Sequence, residues 1–403
     1  VSQDHPSLAR QFSRRIVAEA LLHQAPISRA DLARVTGLSK QTMSQVIGEL
    51  EAGGWVKSAG TSRGGVGRTA VTYEIAEDAA YSLGVDLGGT KVTAAVADLV
   101  GKVVGDLTEP TDPRGGRHVL DQIHGLAAKL AASAAIDAAR IESIVIGTPG
   151  VVDPRSGRIG LIPNIRGLSE LDVPQVLGSL FGRAVHLEND VNLAMLGEAW
   201  RGGAQGCRNA AFLALGTGVG LGLVVNGELV RGATGAAGEV AYLPLGADTT
   251  SPEARSVGSF ELEVGSAGIL RRYRACGGEG ADTVRDIFAR LAQGEPQAAA
   301  VLDDTAHIVA LAIAALQATV DLERIVLGGS IGVQPELVER VQRAMPSVFA
   351  RPVDIRPSAL GSAAGLVGAV SSAVHRLHNQ RFGIPDMPGD FTIPGSSLAR
   401  AAE

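Results

Sequence analysis

Two aspartates stand at the ends of apolar, strand-like runs. Asp86 follows Tyr81-Ser82-Leu83-Gly84-Val85 and opens Asp86-Leu87-Gly88-Gly89-Thr90-Lys91. Asp190 lies in Val185-His186-Leu187-Glu188-Asn189-Asp190-Val191-Asn192, where a strand gives way to a helix running through Leu196 and Trp200. A carboxylate at such a junction accepts the proton of a hydroxyl as it attacks a phosphoryl group. Asn189 and Asp190 together offer donors and acceptors for vicinal hydroxyls; a plain helix N-cap is the alternative reading of the same residues. Asp86 suits a hydrated magnesium ion. The amides of Gly88 and Gly89 can approach a phosphate closely, because no Cβ blocks them.

The elements that must position these groups follow from the pattern around them. A second strand, Val92 to Ala97, follows Lys91 directly, so the glycine-rich segment is the tip of a hairpin. That excludes the strand-loop-helix of dinucleotide-binding and P-loop proteins. Leu215-Gly216-Thr217-Gly218-Val219-Gly220-Leu221-Gly222 repeats the arrangement about 130 residues on. A third glycine turn, Ile325-Val326-Leu327-Gly328-Gly329-Ser330, follows another apolar run and suits a nucleoside contact. Each cluster alone is also an ordinary tight turn. Two such hairpins in this order predict an α/β fold of two similar lobes around a nucleotide cleft, the actin-like, hexokinase-like layout.

Ahead of these lobes lies a segment of different character. Phe12, Ile16, Val17, Ala20 and Leu21 recur at helical spacing. Ser28 is placed to cap a second helix, with Asp31 three residues on; Gly37 suits a left-handed turn, and Ser39 caps a third helix from Lys40 to about Ala52. This is a helix-turn-helix, with Ala33, Leu38, Val46, Ile47 and Leu50 between the helices. Ser39, Lys40, Gln41, Thr42, Ser44 and Gln45 line the outer face of the last helix, a donor-rich row of the size that reaches base edges in a major groove. Gly53-Gly54-Trp55-Val56 ends the helix, and Val71-Thr72-Tyr73-Glu74-Ile75 alternates like a strand. The Gly/Arg loop between them predicts a wing whose Arg63 and Arg68 contact phosphates or the minor groove.

Composition agrees with this division. The chain has 403 residues, 45% hydrophobic and 19% charged, enough for two to four domains with real cores. Residues 1–75 carry nine Lys/Arg against six Asp/Glu, whereas the remainder carries 27 against 36. A basic head on an acidic body restricts nucleic-acid contact to the head. The two cysteines, Cys207 and Cys276, form neither a disulfide framework nor a metal knuckle. The first residues lack an apolar signal core, and the run Ile308 to Leu316 is too short to span a bilayer. A cytoplasmic protein with a buried helix there, and no membrane partner, is expected. The boundaries expected are a winged head over 1–76, a two-lobed domain over 80–378 and an irregular extension over 379–403 containing Pro385, Pro388 and Pro394.

With these segments in place, the chain resembles the ROK family of repressors and sugar kinases, and specifically its branch with a DNA-binding head. The resemblance runs from the first helix to about residue 375. It is carried by Asp86-Leu87-Gly88-Gly89-Thr90-Lys91, Gly147-Thr148-Pro149-Gly150-Val151-Val152-Asp153, Pro163-Asn164-Ile165, Glu188-Asn189-Asp190 and Gly216-Thr217-Gly218-Val219-Gly220. Gly235-Ala236-Ala237-Gly238-Glu239, Leu327-Gly328-Gly329 and Leu360-Gly361-Ser362-Ala363-Ala364-Gly365 complete it. The resemblance implies that Asp190 matches a general base. It implies sugar contacts at Asn164, Asn189, Asp190, Glu239 and Glu261. It implies nucleotide contacts at Asp86, Gly88, Gly89, Thr90, Lys91, Thr217, Gly218, Gly328 and Gly329.

Departures from the family pattern set further expectations. The family has a zinc-binding histidine shortly after the Gly-Glu pair, where this chain has Tyr242, and a cysteine cluster where it has none. Ser259 stands at the last cysteine position. Neutral hydroxyls do not replace thiolates as structural zinc ligands, so no zinc or other metal site is expected. Tyr242 packs the loop or stacks on a sugar face. Leu221 replaces a glycine common in the kinases. The expectation is a sugar-responsive regulator binding operator DNA as a dimer, with a tetramer open, and with no required cofactor. An ATP- and magnesium-dependent sugar kinase using Asp190 is the alternative, and a constitutive DNA-binding protein a third.

Overall fold

The computed structural model describes residues 8–64, 68–153, 156, 158–160, 165–246 and 248–383. The head is built from α1 (Leu8–Gln24), β1 (Ile27–Ser28), α2 (Arg29–Thr36), α3 (Lys40–Ala52), β2 (Val56–Gly64) and β3 (Arg68–Ile75). Local chemistry sets its turns. The Ser28 hydroxyl accepts the Asp31 amide hydrogen and donates to the Asp31 carboxylate, capping α2. Gly37 takes φ +72° at the end of α2, a left-handed conformation that glycine adopts without strain. Ser39 caps α3 by accepting from the Thr42 amide. β2 and β3 pair antiparallel as the predicted wing, and β1 adds a third strand. Val46, Ile47 and Leu50 are buried as the spacing predicts, but Phe12 lies on the outer side of α1 and stays exposed.

The next elements are β4 (Tyr81–Leu87), β5 (Lys91–Asp98), β6 (Val103–Pro110), α4 (Gly116–Ser133), β7 (Ile141–Thr148), β8 (Val151–Val152), β9 (Ile159–Gly160), α5 (Val173–Phe181), β10 (His186–Asn189) and α6 (Asp190–Arg201). Then come β11 (Ala210–Leu215), β12 (Val219–Val225), β13 (Glu228–Leu229), α7 (Pro252–Val257), α8 (Ser259–Val264), α9 (Ser266–Ala275), α10 (Val284–Ala292) and α11 (Pro296–Val320). The chain continues with β14 (Arg324–Gly328), α12 (Gly329–Gly332), α13 (Pro335–Val348), β15 (Ile355–Pro357) and α14 (Ala364–Phe382). Two sheets share one plan. Their strand orders are β10-β7-β4-β5-β6 and β13-β12-β11-β14-β15, so in each the first strand of the motif pairs with its hairpin partner on one side and a later strand on the other. β4–β5 and β11–β12 are the two predicted hairpins.

The chain packs into two compact units. One comprises residues 1–146, 165–186 and 369–403; the other comprises 147–164 and 187–368. In the second unit, α11 lies at the core, with Val301, Leu302, Val309, Ala310 and Ile313 buried among Leu213, Ile325 and Val341. The apolar run at 308–316 therefore lies in the C-terminal half of a longer helix, one whose length and composition would suffice to cross a membrane but whose inner face is committed to this core.

The first unit joins head and first lobe through a common core. Leu99 and, from α14, Leu377 and Phe382 are buried together with Val17, Leu21, Met43, Ile47, Leu50 and Ile75 of the head. His378 on the same helix donates from Nε2 to the Leu99 carbonyl at 2.6 Å. Burial pushes its imidazole down to about 4, so it is neutral at physiological pH. The helix thus continues past the expected boundary at 378, and residues 379–382 belong to it rather than to an irregular extension. Pro385, Pro388 and Pro394 lie outside the described residues. The division between the units falls within α14, between Gly368 and Ala369. A Cβ on Gly368 would come 1.7 Å from the Leu193 carbonyl oxygen, so the start of α14 lies backbone-to-backbone on α6.

Candidate functional site

Asp190 is the first residue of α6, and the residues before it hold that helix end in place. The Asn189 side-chain oxygen accepts from the Val191 and Asn192 amides at 2.9 and 3.0 Å, and its Nδ2 donates to the Gly150 carbonyl at 3.0 Å. Asn189 is therefore the N-cap, and its Nδ2 carries a second amide hydrogen besides the one given to Gly150. Glu188 is buried. Its Oε1 accepts from Asn192 Nδ2 and the Asn189 amide, and its Oε2 from Arg231 Nε at 2.7 Å. These bonds fix the strand-to-helix turn that presents Asp190.

α6 lies against β12 because β12 has glycines facing it. A Cβ on Gly220 would meet Val191 Cγ2 at 2.8 Å, and one on Gly222 would meet Met195 Cβ and the Val191 carbonyl at 2.6 Å. The same strand gathers two further acids. The Val219 amide donates to Glu261 Oε2 at 2.8 Å, and Gly238, next to Glu239, packs against the Leu221 carbonyl. A strand advances about 3.3 Å per residue. Asp190, Glu239 and Glu261 are thus anchored within a few residues of one strand. Burial, with Glu261 nearby, raises the Glu239 carboxyl; burial raises Glu261, partly offset by the Val219 hydrogen bond. Asn164 lies outside the described residues.

The hairpin tips differ from the sequence expectation in one respect. The Gly88 amide donates to the Lys91 carbonyl at 2.9 Å, so it closes the turn and is not available to a phosphate. Gly89, Thr90 and Lys91 remain exposed at the tip. Burial raises the Asp86 carboxyl and Lys91 opposes this. In the second sheet Thr217 borders a cavity of 510 Å³ that is also lined by Ser266, Thr283, Arg285, Phe288, Ser330 and Gln334. Gly218 abuts Glu261. Gly328 is buried, with a Cβ site only 2.0 Å from the Phe212 ring, so it is a packing glycine; Gly329 is exposed at the start of α12. Phe288 and Thr283 had no signature in the sequence. Their helix, α10, is ordinary in pattern, and its capping box at Thr283 and Asp286 is its one local signal.

In the head, Lys40, Gln41, Ser44 and Gln45 are exposed along one face of α3. Ser39 and Thr42 are engaged in the cap, their hydroxyls 2.9 Å apart, and so serve the helix start. Arg63 and Arg68 sit near the end of the β2–β3 ribbon, where Arg63 pairs with Thr69 and Gly64 with Arg68. Residues 65–67 between them lie outside the described residues.

The model of the ROK family matches residues 82–376, which take in both sheets and all three acids. The chain belongs to the ROK family. Residues 13–65 match the MarR family, so the ROK domain carries a MarR-type winged helix at its front. The chain is 26% identical over 269 residues to a xylose repressor of Bacillus spizizenii, covering 66% of this chain and 68% of that protein. Matches to such repressors span between 60% and 68% of their length. A ROK hexokinase from Thermus thermophilus superposes with a TM-score of 0.66 at 30% identity, covering 74% of this chain and 99% of that one. A ROK family transcriptional regulator described as a homologue of the E. coli MLC protein superposes with a TM-score of 0.73 at 22% identity, covering 91% and 96%. That likeness extends the shared fold to the head.

The zinc site that the ROK resemblance implies does not fit the residues present. Tyr242 Oη donates to the Ser256 carbonyl at 3.1 Å, and Ser259 Oγ donates to the Leu243 carbonyl at 2.8 Å. Both hydroxyls are committed to backbone. Among the described residues, no group of three His, Cys, Asp or Glu side chains is arranged to hold a metal ion. Tyr242 is exposed, and its ring spans the loop rather than filling a core.

Proposed function

We propose that this chain is a sugar-responsive transcriptional repressor. The head reads double-stranded operator DNA, and the ROK domain binds a sugar that changes DNA affinity. The observation that carries this reading is the head itself: a winged helix with a donor-rich exposed row on α3, whose core is completed by Leu377 and Phe382 of the ROK domain's last helix. A kinase needs no such part. The xylose repressor and regulator relatives support the same assignment.

In the sugar site, Asp190, Glu239 and Glu261 accept hydrogen bonds from ring hydroxyls, and Asn189 contributes its remaining amide hydrogen. Asn164 joins them by family resemblance. The effect reaches the head along α14, whose first turn rests on α6 beside Leu193 and whose last turn lies in the head core. Each of these contacts is close-packed, and packed elements shift between discrete arrangements rather than deforming smoothly. The protein works as a homodimer in the cytoplasm, because one head reads one half-site and operators are two-fold symmetric.

A second reading is favoured by one observation, the 510 Å³ cavity beside Thr217. With Asp190 retained, it supports ATP-dependent phosphorylation of the bound sugar, as in the hexokinase relative. Thr217, Ser266 and Ser330, which line that cavity, would hold the nucleotide; by family resemblance alone, Asp86, Gly89, Thr90 and Lys91 would serve phosphate and magnesium. Magnesium would supply charge neutralisation at the transferred phosphoryl group. Asp190 would take the sugar hydroxyl's proton. Selection of duplexes from a random pool tests the first reading. Recovery of a palindromic consensus supports it; recovery of unselected DNA, together with ATP consumption on sugar, supports the second.

A further inference from the structure

Between Glu239 and Glu261 the chain makes two passes that are tied side by side. The first is the 3-10 turn Val240–Tyr242 with Leu243; the second is the end of α7 with Gly258 and Ser259. Three ties join them. Tyr242 Oη donates to the Ser256 carbonyl, and Ser259 Oγ donates to the Leu243 carbonyl. Between these, Gly258 at φ +99° brings the backbones into contact, since a Cβ there would lie 2.3 Å from the Ala241 carbonyl oxygen. Ser259 is only 6% exposed and Ala241 5%, so two of the three ties are in the interior. The passes end on the two glutamates: Glu239 immediately precedes Val240, and Glu261 is the third residue of the helix that Ser259 begins.

We propose that Ser259 and Tyr242 form a metal-independent clamp that positions Glu239 and Glu261 as a paired acceptor for neighbouring hydroxyls of an uncharged sugar. The proposal rests on the reading of this region as the sugar site and adds what holds it and what class of ligand it takes. Two carboxylates repel each other and separate unless the backbone holds them. Carboxylates only accept hydrogen bonds, so their natural partners are the donors of a polyol. A sugar phosphate or sugar acid would bring a like charge to the pair. The charged group acting on Glu239 is Glu261, and the Val219 amide is the hydrogen-bond donor on Glu261. In this arrangement the loop needs no metal staple, because backbone carbonyls take the place of the ion as partners of the side chains at 242 and 259.

The test is calorimetric binding to the full chain, with D-xylose, D-glucose and D-glucose 6-phosphate as probes, before and after dialysis against EDTA. The clamp predicts that a neutral sugar binds at least tenfold more tightly than the phosphate and that chelation changes its affinity less than twofold. Ser259→Ala weakens binding about tenfold and moves the acid limb of its pH profile to lower pH, because Glu239, no longer held beside Glu261, loses the neighbouring charge that raises it. Ser259→Thr, which keeps the hydroxyl, restores both. Tyr242→Phe, a change at the surface that leaves folding intact, weakens binding severalfold. Binding abolished by EDTA and restored by zinc overturns the proposal, as does unchanged binding by folded Ser259→Ala and Tyr242→Phe proteins, or preference for the phosphate. If no probe or other neutral sugar binds the wild-type protein, the sugar-site reading itself fails, and the clamp with it.

Discussion

The Trp55 indole meets the Phe382 ring edge-on, with centroids 6.2 Å apart and planes at 88°. Trp55 follows α3 of the head, whereas Phe382 is the last residue of α14, 327 positions later. Arg381 lies over the same indole, 4.9 Å from its centroid, and pairs with Glu142. The head is therefore not a bead on a linker. Phe382→Ala would open a cavity in its core, and such truncations cost about 3–5 kcal/mol. The expected outcome is a lower melting temperature and loss of DNA binding by the purified 403-residue chain. A variant that binds operator DNA as wild type does would show that the contact with α14 is dispensable.

Gly368 offers a cleaner probe of communication. Its site leaves 1.7 Å between a would-be Cβ and the Leu193 carbonyl, so even alanine forces α14 away from α6. Gly368→Ala is expected to lower the melting temperature by several degrees and to reduce the difference in DNA affinity between sugar-bound and sugar-free protein. An undiminished sugar effect would place the coupling elsewhere.

The acid pair makes a prediction about pH. Both Glu239 and Glu261 are raised above the ordinary value of 4.5, by burial and, for Glu239, by its neighbour. The folded state then holds protons more tightly than the unfolded chain. Their contribution is fully favourable below pH 4.5 and is lost as pH rises through the raised values. Glu239→Gln removes one of the charges, so it should raise the melting temperature at pH 7, change it little at pH 4, and weaken sugar binding about tenfold, near 1.4 kcal/mol. Thermal scans at the two pH values check the sign; a lower melting temperature at pH 7 would contradict it.

Recognition and attraction separate on α3. Lys40 and Gln45 are both exposed there. Lys40→Ala should weaken binding to operator and random DNA alike and reduce the salt slope by about one. Gln45→Ala should cost about 1–3 kcal/mol on the operator and leave random binding nearly unchanged. Anisotropy titrations over a series of salt concentrations distinguish the two, and equal losses for both variants on both DNAs would remove Gln45 from the reading face.

The features legible in the sequence are those specified locally. Ser28, Gly37 and Ser39 mark helix ends because caps and left-handed turns depend on a few adjacent residues, and the glycine hairpins announce themselves by the strands on either side. What was not legible depends on distant partners or on how one group's hydrogen bonds are shared out. Nothing near Phe382 signals that it completes a core 327 positions away. Asn189 looks like a ligand acceptor as well as a donor until its oxygen is counted into the α6 cap, and Gly88 looks like a phosphate amide until Lys91 takes its hydrogen. The cavity beside Thr217 is assembled from segments 217, 266–288 and 330–334, whose meeting only the tertiary fold decides.

In the function proposed, sugar binding and DNA binding are coupled in one chain. The most direct measurement is fluorescence anisotropy of the whole 403-residue chain on its selected duplex, at one fixed salt concentration, with and without each of a panel of neutral monosaccharides. One sugar is expected to shift the DNA affinity by about tenfold, roughly 1.4 kcal/mol of coupling, and Glu239→Gln to reduce the shift. Tight, specific DNA binding that no sugar alters, although calorimetry shows that a sugar is bound, would contradict it.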